Sequence, residues 1–232
     1  MLILEGLEVQ QDAFVLRADL SVAPGSRVAI IGASGAGKST LLAALAGFLP
    51  VRGSIRWQGQ EISGLSPAER PGAVVFQDNN LFPHLTAFQN VAMGLRASLR
   101  LSAAEHQQVE DSLTRVGLVG MGARKPGQLS GGQQSRVTLA RMLLQRKPLV
   151  LLDEPFAALG PAMRAEMLDL VAALCRANGS TALMVSHDPT DARRFADQVI
   201  WVDAGVVHAP VATDALFNAP PPALAAYLGQ QS

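Results

Sequence analysis

The stretch Arg27-Val-Ala-Ile-Ile-Gly32-Ala-Ser-Gly-Ala-Gly37-Lys38-Ser39 decides the fold of this chain of 232 residues. It opens on a short apolar run that suits a strand buried on both faces. The remainder matches the pattern G-x-x-x-x-G-K-[ST], in which glycines let successive backbone N–H groups curl around phosphate oxygens. A helix that follows directly would present its positive N-terminus to the same anion. The stretch therefore predicts a phosphate-binding loop between a strand and a helix.

This loop supplies most of the predicted nucleotide-binding residues, which are Gly32, Ala33, Ser34, Gly35, Ala36, Gly37, Lys38, Ser39 and Thr40. Lys38 would reach the β- and γ-phosphates of a nucleotide, and the hydroxyl of Ser39 would ligate Mg²⁺. A chance glycine turn is the alternative interpretation. The Lys-Ser pair and the flanking strand and helix signals disfavour it.

Strand and helix signals alternate along the rest of the chain, which implies a mostly parallel sheet in an α/β fold. The predicted strands are Leu2–Val9, Val15–Val22, Arg27–Ile31, Ser54–Trp57, Val74–Phe76, Leu149–Leu152, Leu183–Val185 and Val199–Val202. The predicted helices are Thr40–Leu49, a segment from the capping box at Ser102 to Gly117, Gly131–Gln145, and a segment from Pro161 through Leu174. We expect one domain over 1–232, with a helical insertion at about 80–146 and a C-terminal tail at 213–232.

Two acids end an apolar strand at Leu149-Val-Leu-Leu152-Asp153-Glu154, which places them at the C-terminal edge of the predicted sheet. Open α/β sheets bind their ligands at this edge. Asp153 would hold Mg²⁺ directly or through water, and Glu154 would polarise an attacking water as the general base. Many strands end in acids, so this motif gains its meaning from the phosphate-binding loop upstream.

A second anion-binding helix start is predicted at Leu129-Ser-Gly-Gly-Gln133, where small residues again precede a helix. The candidate binding residues here are Ser130, Gly131, Gly132 and Gln133. Two phosphate cradles in one chain are explained if one nucleotide is clamped between the loop of one subunit and this segment of another.

Composition excludes several classes of protein. Nineteen Lys and Arg residues balance nineteen Asp and Glu residues, which argues against a nucleic-acid-binding protein that relies on bulk positive charge. The single cysteine, Cys175, allows no intramolecular disulfide and no cysteine metal cluster. The N-terminal MLILEGLEVQ lacks the basic flank of a signal peptide, and no apolar run is long enough for a membrane span. We therefore expect a cytoplasmic protein without a nucleic-acid partner.

Five motifs, in this order, resemble those of the nucleotide-binding subunits of ABC transporters. They are GASGAGKST, Gln77 after VVF, LSGGQ, VLLDEP, and SHD containing His187. The resemblance implies a P-loop NTPase fold of the ABC type, with a mainly parallel core sheet, an N-terminal antiparallel β subdomain and an inserted α-helical subdomain. It also implies an ATPase that uses ATP and Mg²⁺.

The resemblance assigns roles to single residues. Glu154 and His187 would be catalytic, the latter by contacting the γ-phosphate. Gln77 would contact Mg²⁺ or the attacking water and face the membrane partner. Ser130 and Gly132 would contact the γ-phosphate bound by the other subunit of a homodimer. The implied metal ligands are Ser39, Gln77 and Asp153.

Three departures from the family pattern affect these expectations. Gln11 stands in the region where the family has an aromatic ring that stacks on adenine, and Phe14 is a possible substitute. Gly160 ends Ala-Ala-Leu-Gly where the family has Ser-Ala-Leu-Asp, which suggests weaker communication between the two nucleotide sites. Gln134 and Ser135 follow LSGGQ where the family usually has Arg and Gln, so one positive charge is lost.

Within the family, Gln77–Thr86, Ala46–Leu49 and Asp153–Phe156 resemble the ATP-binding subunits of thiamine importers. The resemblance implies import of thiamine or thiamine pyrophosphate. The partners would be transmembrane permease subunits and, through the permease, a periplasmic or extracellular substrate-binding protein. The ATPase would lie at the cytoplasmic face of the inner (plasma) membrane as a peripheral subunit. Leu81 and Phe82 are candidate apolar anchors for the permease.

Other assignments remain open from the sequence. The same motifs serve ATPases of importers for metal ions, polyamines or anions, and those of exporters and lipoprotein-release systems. An ABC ATPase of DNA repair is disfavoured because the residues between Gln77 and LSGGQ contain neither a heptad run nor a cysteine pair. A P-loop kinase would have no use for LSGGQ.

Overall fold

The computed structural model describes residues 1–76 and 80–229. The strands are β1 Leu2–Gln11, β2 Phe14–Val22, β3 Arg27–Ile31, β4 Arg52–Trp57, β5 Gln60–Glu61, β6 Gly72–Val75, β7 Leu149–Asp153, β8 Thr181–Val185, β9 Gln198–Asp203, β10 Val206–Val207 and β11 Val211–Ala212. The helices are α1 Lys38–Ala46, α2 Ala87–Ala92, α3 Ala103–Arg115, α4 Gly131–Gln145, α5 Pro161–Asn178, α6 Pro189–Phe195, α7 Thr213–Asn218 and α8 Pro222–Tyr227, with a 3₁₀ turn at Pro126–Gln128.

The strands form a sheet with an antiparallel part and a parallel part. Its order is β5-β4-β1-β2-β10-β9-β3-β8-β7-β6, and β11 pairs with β9. β1 pairs antiparallel with β2 and β4, whereas β3 lies parallel between β8 and β9, and β7 lies parallel between β6 and β8. The predicted arrangement, a mainly parallel core sheet with an N-terminal antiparallel subdomain, is confirmed.

The central strand β3 is buried on both faces, as its apolar run predicts. Ala29 and Ile31 belong to the hydrophobic cluster formed with α4, α5 and α6. Val28 and Ile30 belong to the cluster on the opposite face, which α1 covers. Because successive side chains of a strand alternate between faces, these four residues anchor helices on both sides of the sheet. This packing fixes the end of β3, where the glycine-rich loop begins.

The inserted helical region between β6 and β7 consists of α2, α3 and α4, which pack against one another. α3 starts at the predicted capping box, where the Ser102 side chain accepts a hydrogen bond from the backbone of Glu105. α2 and α6 were absent from the sequence prediction, since each is a short helix with little periodicity. They begin at local caps, the side chains of Thr86 and Asp188 respectively.

The predicted bounds of α1 are wrong at its C-terminal end. The apolar pattern extends the helix to Leu49, but the structure ends it at Ala46. Gly47 adopts a left-handed conformation with φ of 85°, and its N–H bonds the carbonyls of Ala43 and Ala44. A glycine C-cap therefore outweighs the apolar periodicity, because left-handed φ costs glycine little.

The C-terminal region contains α7 and α8, which pack against the rest of the fold. Leu216, Phe217 and Leu224 are buried in the same cluster as α6. The Arg193 guanidinium of α6 lies 4.2 Å from the ring centroid of Phe217. Within the described residues, no helix has both the length and the apolar character needed to cross a bilayer.

Candidate functional site

The glycine-rich loop follows a path that side chains would obstruct at two positions. Gly32 has φ of 151°, and a Cβ there would lie 2.1 Å from the carbonyl oxygen of Val202. Gly37 has φ of 110°, and a Cβ there would lie 2.6 Å from Cδ1 of Leu16 and 2.9 Å from Cζ of Phe14. The loop is therefore held closely between β2 and β9, and α1 begins immediately after it at Lys38.

Lys38 lies across the loop that precedes it. Its Nζ donates to the carbonyl oxygens of Gly32 and Ala33, each at 2.8 Å, and the residue is only 7% exposed. Burial lowers the pKa of Lys38, and the nearby carboxylates of Glu154 and Asp153 oppose that shift. The predicted phosphate-binding ammonium is thus positioned by backbone carbonyls and faces the two acids that end β7.

Ser39 and Asp153 meet although they are far apart in sequence. The Ser39 hydroxyl donates to Oδ1 of Asp153 at 3.0 Å. Burial raises the pKa of Asp153 and the nearby Glu154 adds to the rise, while the hydrogen bond from Ser39 and the charge of Lys38 oppose it. A hydroxyl and a carboxylate side by side are hard oxygen ligands of the type that Mg²⁺ takes.

The residues present fit Mg²⁺ in its usual mode of binding. Among the described residues, no group of three or more His, Cys, Asp or Glu side chains could hold a metal ion by itself. Mg²⁺ is commonly held by one or two protein oxygens, with phosphate oxygens and waters completing the octahedron. Ser39 and Asp153 supply that small protein share beside the phosphate-binding loop.

Glu154 and His187 form the second pair at the sheet edge. Nδ1 of His187 lies 3.1 Å from Oε2 of Glu154. Glu154 has φ of 43°, a left-handed conformation uncommon for a residue with a side chain, and its N–H donates to the carbonyl of Val185 at 3.2 Å. Strained backbone of this kind persists where the surrounding structure fixes it, and it is frequent at functional sites.

A cavity of about 450 Å³ lies beside the loop. Its lining consists of Gln11, Phe14, Ser34, Gly35, Gly37, Lys38, Ser39, Thr40 and Glu154. Gln11 points inward here, since its Oε1 accepts a hydrogen bond from the Thr40 hydroxyl at 2.9 Å. Phe14 is the aromatic side chain in this lining. Six of the nine predicted loop residues line this cavity together with Glu154, whereas Gly32, Ala33 and Ala36 do not.

The segment of residues 129–133, here called the signature segment, lies outside that cavity lining. Ser130 caps α4 in a capping box with Gln133, and both Ser130 and Gly131 are exposed. Gly132 is buried, and a Cβ there would lie 2.9 Å from Sδ of Met163. The apolar spacing of the helix that begins at Pro161 predicts that Met163 lies in the core with Met167. Met163 is instead 38% exposed, because it covers the signature segment at the start of α5.

The two residues that replace family residues after the signature segment face inward. Nε2 of Gln134 donates to the carbonyls of Pro126 and Leu129, at 3.0 and 3.3 Å. The Ser135 hydroxyl donates to the carbonyl of Gly131 at 3.2 Å. These side chains stabilise the start of α4. An arginine at residue 134, as the family usually has, would have to give up these backbone contacts before its charge could reach a phosphate.

Gln77, predicted as a catalytic and metal-contacting residue, lies outside the described residues.

Two contacts at the site were not found by sequence reasoning. Nη1 of Arg164 lies 3.3 Å from Oδ2 of Asp188, while its Nη2 donates to the carbonyl of Ala157. The Tyr227 hydroxyl donates to the carbonyl of His187 at 3.0 Å. Nothing local distinguishes Arg164 from a surface arginine, and Tyr227 stands out only as the chain's single tyrosine.

The fold is that of an ATP-binding cassette. The ABC transporter family model matches residues 15–157, which is more than half of the chain. The chain belongs to this family, whose members of this type are ATPases. This confirms the family, fold and enzyme class that the five motifs predict.

More specific similarity comes from individual relatives. The chain is 55% identical over 230 residues to the thiamine import ATP-binding protein ThiQ of Cereibacter sphaeroides, covering 99% of this chain and all of that protein. It is 44% identical to the protein of the same name from Photorhabdus laumondii, covering 100% and 99%. Among solved structures, it matches the ATP-binding cassette MJ0796 with a TM-score of 0.79 and 29% identity, covering 92% of this chain and 99% of that one. That cassette was solved as a dimer in a post-hydrolysis state bound to ADP and Pi.

Proposed function

We propose that this chain is the ATP-hydrolysing subunit of an ABC importer for thiamine or thiamine pyrophosphate. One observation carries the ATPase chemistry: Ser39 meets Asp153, and Glu154 meets His187, at the mouth of the glycine-rich loop. The names of relatives at 44–55% identity over nearly the full chain support the substrate. The substrate would pass through other subunits, so it leaves no site of its own here.

Each residue has a defined task in the proposed reaction. The backbone N–H groups of the loop and the ammonium of Lys38 would hold the β- and γ-phosphates. Mg²⁺, held by Ser39, Asp153 and the proposed ligand Gln77, would supply shielding of the phosphate charge. The Glu154 carboxylate would accept a proton from the attacking water as general base. His187 would contact the γ-phosphate from its place beside Glu154.

The nucleotide base would rest against Phe14 in place of the aromatic ring that the family has near residue 11. Phe14 lines the cavity and lies against the Cα of Gly37, whereas Gln11 is occupied with Thr40. An aromatic face offers a stacking surface to adenine that a carboxamide does not. This assigns the base to the β2 side of the cavity.

A homodimer would complete each nucleotide site. Ser130, Gly131, Gly132 and Gln133 would contact the γ-phosphate held by the loop of the second copy, since they lie outside the cavity of their own copy. The exposed serine and glycine at the start of α4 offer an unobstructed hydroxyl and backbone N–H groups. The dimeric state of the cassette MJ0796 supports this arrangement.

Aromatic side chains flank the segment around Gln77 where a permease would dock. Phe48 is exposed, and its ring centroid lies 5.7 Å from that of Phe76. Phe82 is also exposed, and its N–H donates to Oδ1 of the buried Asn90 at 2.8 Å. The aromatic pair of Phe48 and Phe76 is apolar surface of the kind that a protein partner covers. These side chains support a peripheral subunit on the cytoplasmic membrane face, with a substrate-binding protein reached only through the permease.

Uptake of labelled thiamine in a strain that lacks this gene tests the proposal. The wild-type chain should restore uptake, and E154Q should not, although it should still bind ATP. The control E5Q changes a half-exposed carboxylate of β1 that pairs with Arg56, and it should restore uptake fully. Uptake that is normal without the gene would refute the assigned substrate, and an E154Q chain with normal ATP turnover would refute the assigned base.

A further inference from the structure

The C-terminal helix α8 reaches the loop of residues 186–188, here called the switch loop, through one side chain. The Tyr227 hydroxyl donates to the carbonyl oxygen of His187 at 3.0 Å. α8 is firmly placed, because Leu224 is fully buried and Leu228 packs against the same hydrophobic cluster. A side chain far along the sequence thus touches the backbone of a proposed catalytic residue.

This hydrogen bond completes the anchoring of one peptide group. The peptide between His187 and Asp188 has its carbonyl bonded to Tyr227 and its N–H bonded to Oγ of Ser186 at 3.1 Å. Rotating that peptide would break both bonds. Its orientation in turn sets the direction of the His187 side chain, whose Nδ1 lies 3.1 Å from Glu154.

Further contacts hold the switch loop at Asp188, directly after His187. Asp188 pairs with Arg164 at 3.3 Å and caps α6 through the N–H of Thr190 at 2.8 Å. The His187 side chain is 55% exposed, so packing alone does not fix it. Burial, with the carboxylates of Asp188 and Glu154 nearby, raises the pKa of Tyr227. The phenol therefore keeps the proton that it donates.

We propose that Tyr227 is a positioning residue for ATP hydrolysis: its hydroxyl fixes the backbone of His187 so that the imidazole stays beside Glu154. This inference rests on the role proposed above for His187. It makes α8 part of the catalytic machinery, although no residue of α8 touches the nucleotide cavity.

The Y227F substitution tests this, because it removes the hydroxyl and keeps the ring. We expect kcat for ATP hydrolysis by the full chain to fall about fivefold, the usual scale of one lost hydrogen bond. KM for ATP should stay unchanged, since the glycine-rich loop is untouched, and thermal unfolding should shift little. The control T114V removes another hydroxyl that donates to a carbonyl, that of Glu110, on the distant helix α3. It should leave kcat unchanged.

A double-mutant cycle separates positioning from general destabilisation. If Tyr227 acts through His187, adding Y227F to H187A should lower the residual rate no further. An additional fivefold loss in the H187A background, or a Y227F chain with wild-type kcat, would overturn the inference while leaving the role of His187 intact. An H187A chain with normal turnover would overturn the role of His187 itself and this inference with it.

Discussion

The glycine-rich loop and the signature segment both begin a helix with small residues, yet their surroundings differ. The loop is enclosed at its two ends: Val202 leaves no room for a side chain at Gly32, Leu16 and Phe14 leave none at Gly37, and Lys38 is bonded to the carbonyls of the loop. The signature segment is open, with Ser130 and Gly131 exposed and outside the cavity. One helix start is held by contacts within its own chain, whereas the other is left open, as its proposed contact with a second copy requires.

The difference indicates which contacts shape each region for binding: contacts within the chain, or contacts with a second copy. The loop's backbone is preorganised by contacts that exist in the isolated chain, so its geometry serves binding directly. The signature segment satisfies two of its backbone N–H groups, those of Ser130 and Gln133, through its own capping box. Under the proposed function, it would contact nucleotide only after two copies assemble. Substitutions of equal chemistry should have unequal effects in the two regions.

The largest expected effect comes from adding one methyl group to a glycine in each region. In Gly37→Ala, the new Cβ collides with Leu16 at a φ that alanine resists, so ATP binding itself should be lost. In Gly131→Ala, the nearest atom is 3.7 Å away, in Leu159, so the chain should fold and bind ATP normally. Its turnover should nevertheless fall by about tenfold or more, because the methyl group would stand between the signature segment and its partner's nucleotide.

Equilibrium ATP binding by the chain and steady-state hydrolysis measure the two outcomes separately. Gly127→Ala is a matched control, since a Cβ there meets nothing within 4 Å in a neighbouring turn. It should change neither quantity. If Gly131→Ala weakened ATP binding as much as Gly37→Ala, the signature segment would belong to its own chain's site, and the contrast would be false.

The sequence predicts features that depend on local patterns, and it misses features that depend on tertiary contacts. The loop, the two acids at the end of β7 and the capping box at Ser102 are local patterns, so the sequence locates them in the fold. Arg164 and Tyr227 were not found, because their partners Asp188 and His187 come together only through tertiary packing. The exposure of Met163 was predicted wrongly, since helical periodicity does not show that the first turn of α5 covers Gly132.

A smaller effect is expected from Ser130→Ala, which removes the cap of α4 in the signature segment. Loss of such a cap costs about 1 kcal/mol of folding free energy, so thermal unfolding should occur about 3 °C lower. Ser102→Ala is a matched control, because Ser102 forms the same capping box with Glu105 at α3. Both variants should lose similar stability, measured by calorimetry.

Only Ser130→Ala should also lose ATP turnover, since Ser102 lies away from both helix starts that the proposed function uses. Turnover should fall severalfold when the hydroxyl proposed to contact the partner's γ-phosphate is removed. Equal turnover in the two capping variants would mean that Ser130 is a structural cap without a contact to nucleotide. The signature segment would then act through its backbone alone.

The smallest expected effect concerns the stability that the folded chain loses by burying the charged carboxylate of Asp153 beside the loop. Burial raises the pKa of Asp153, so its ionised form is less favourable in the folded chain than in the unfolded chain. Asp153→Asn removes that charge and should raise the unfolding temperature of the nucleotide-free chain slightly at neutral pH. The gain over wild type should shrink as the pH falls through the raised pKa of Asp153 toward the unfolded value, because the wild-type carboxyl becomes neutral there.

The same variant should lose Mg²⁺-dependent hydrolysis, since the amide cannot replace the carboxylate. A variant that is less stable than wild type at neutral pH would show that the hydrogen bond from Ser39 and the charge of Lys38 outweigh burial. In that case the acid would stabilise the loop rather than strain it, and both helix starts would be shaped for folding as well as for nucleotide.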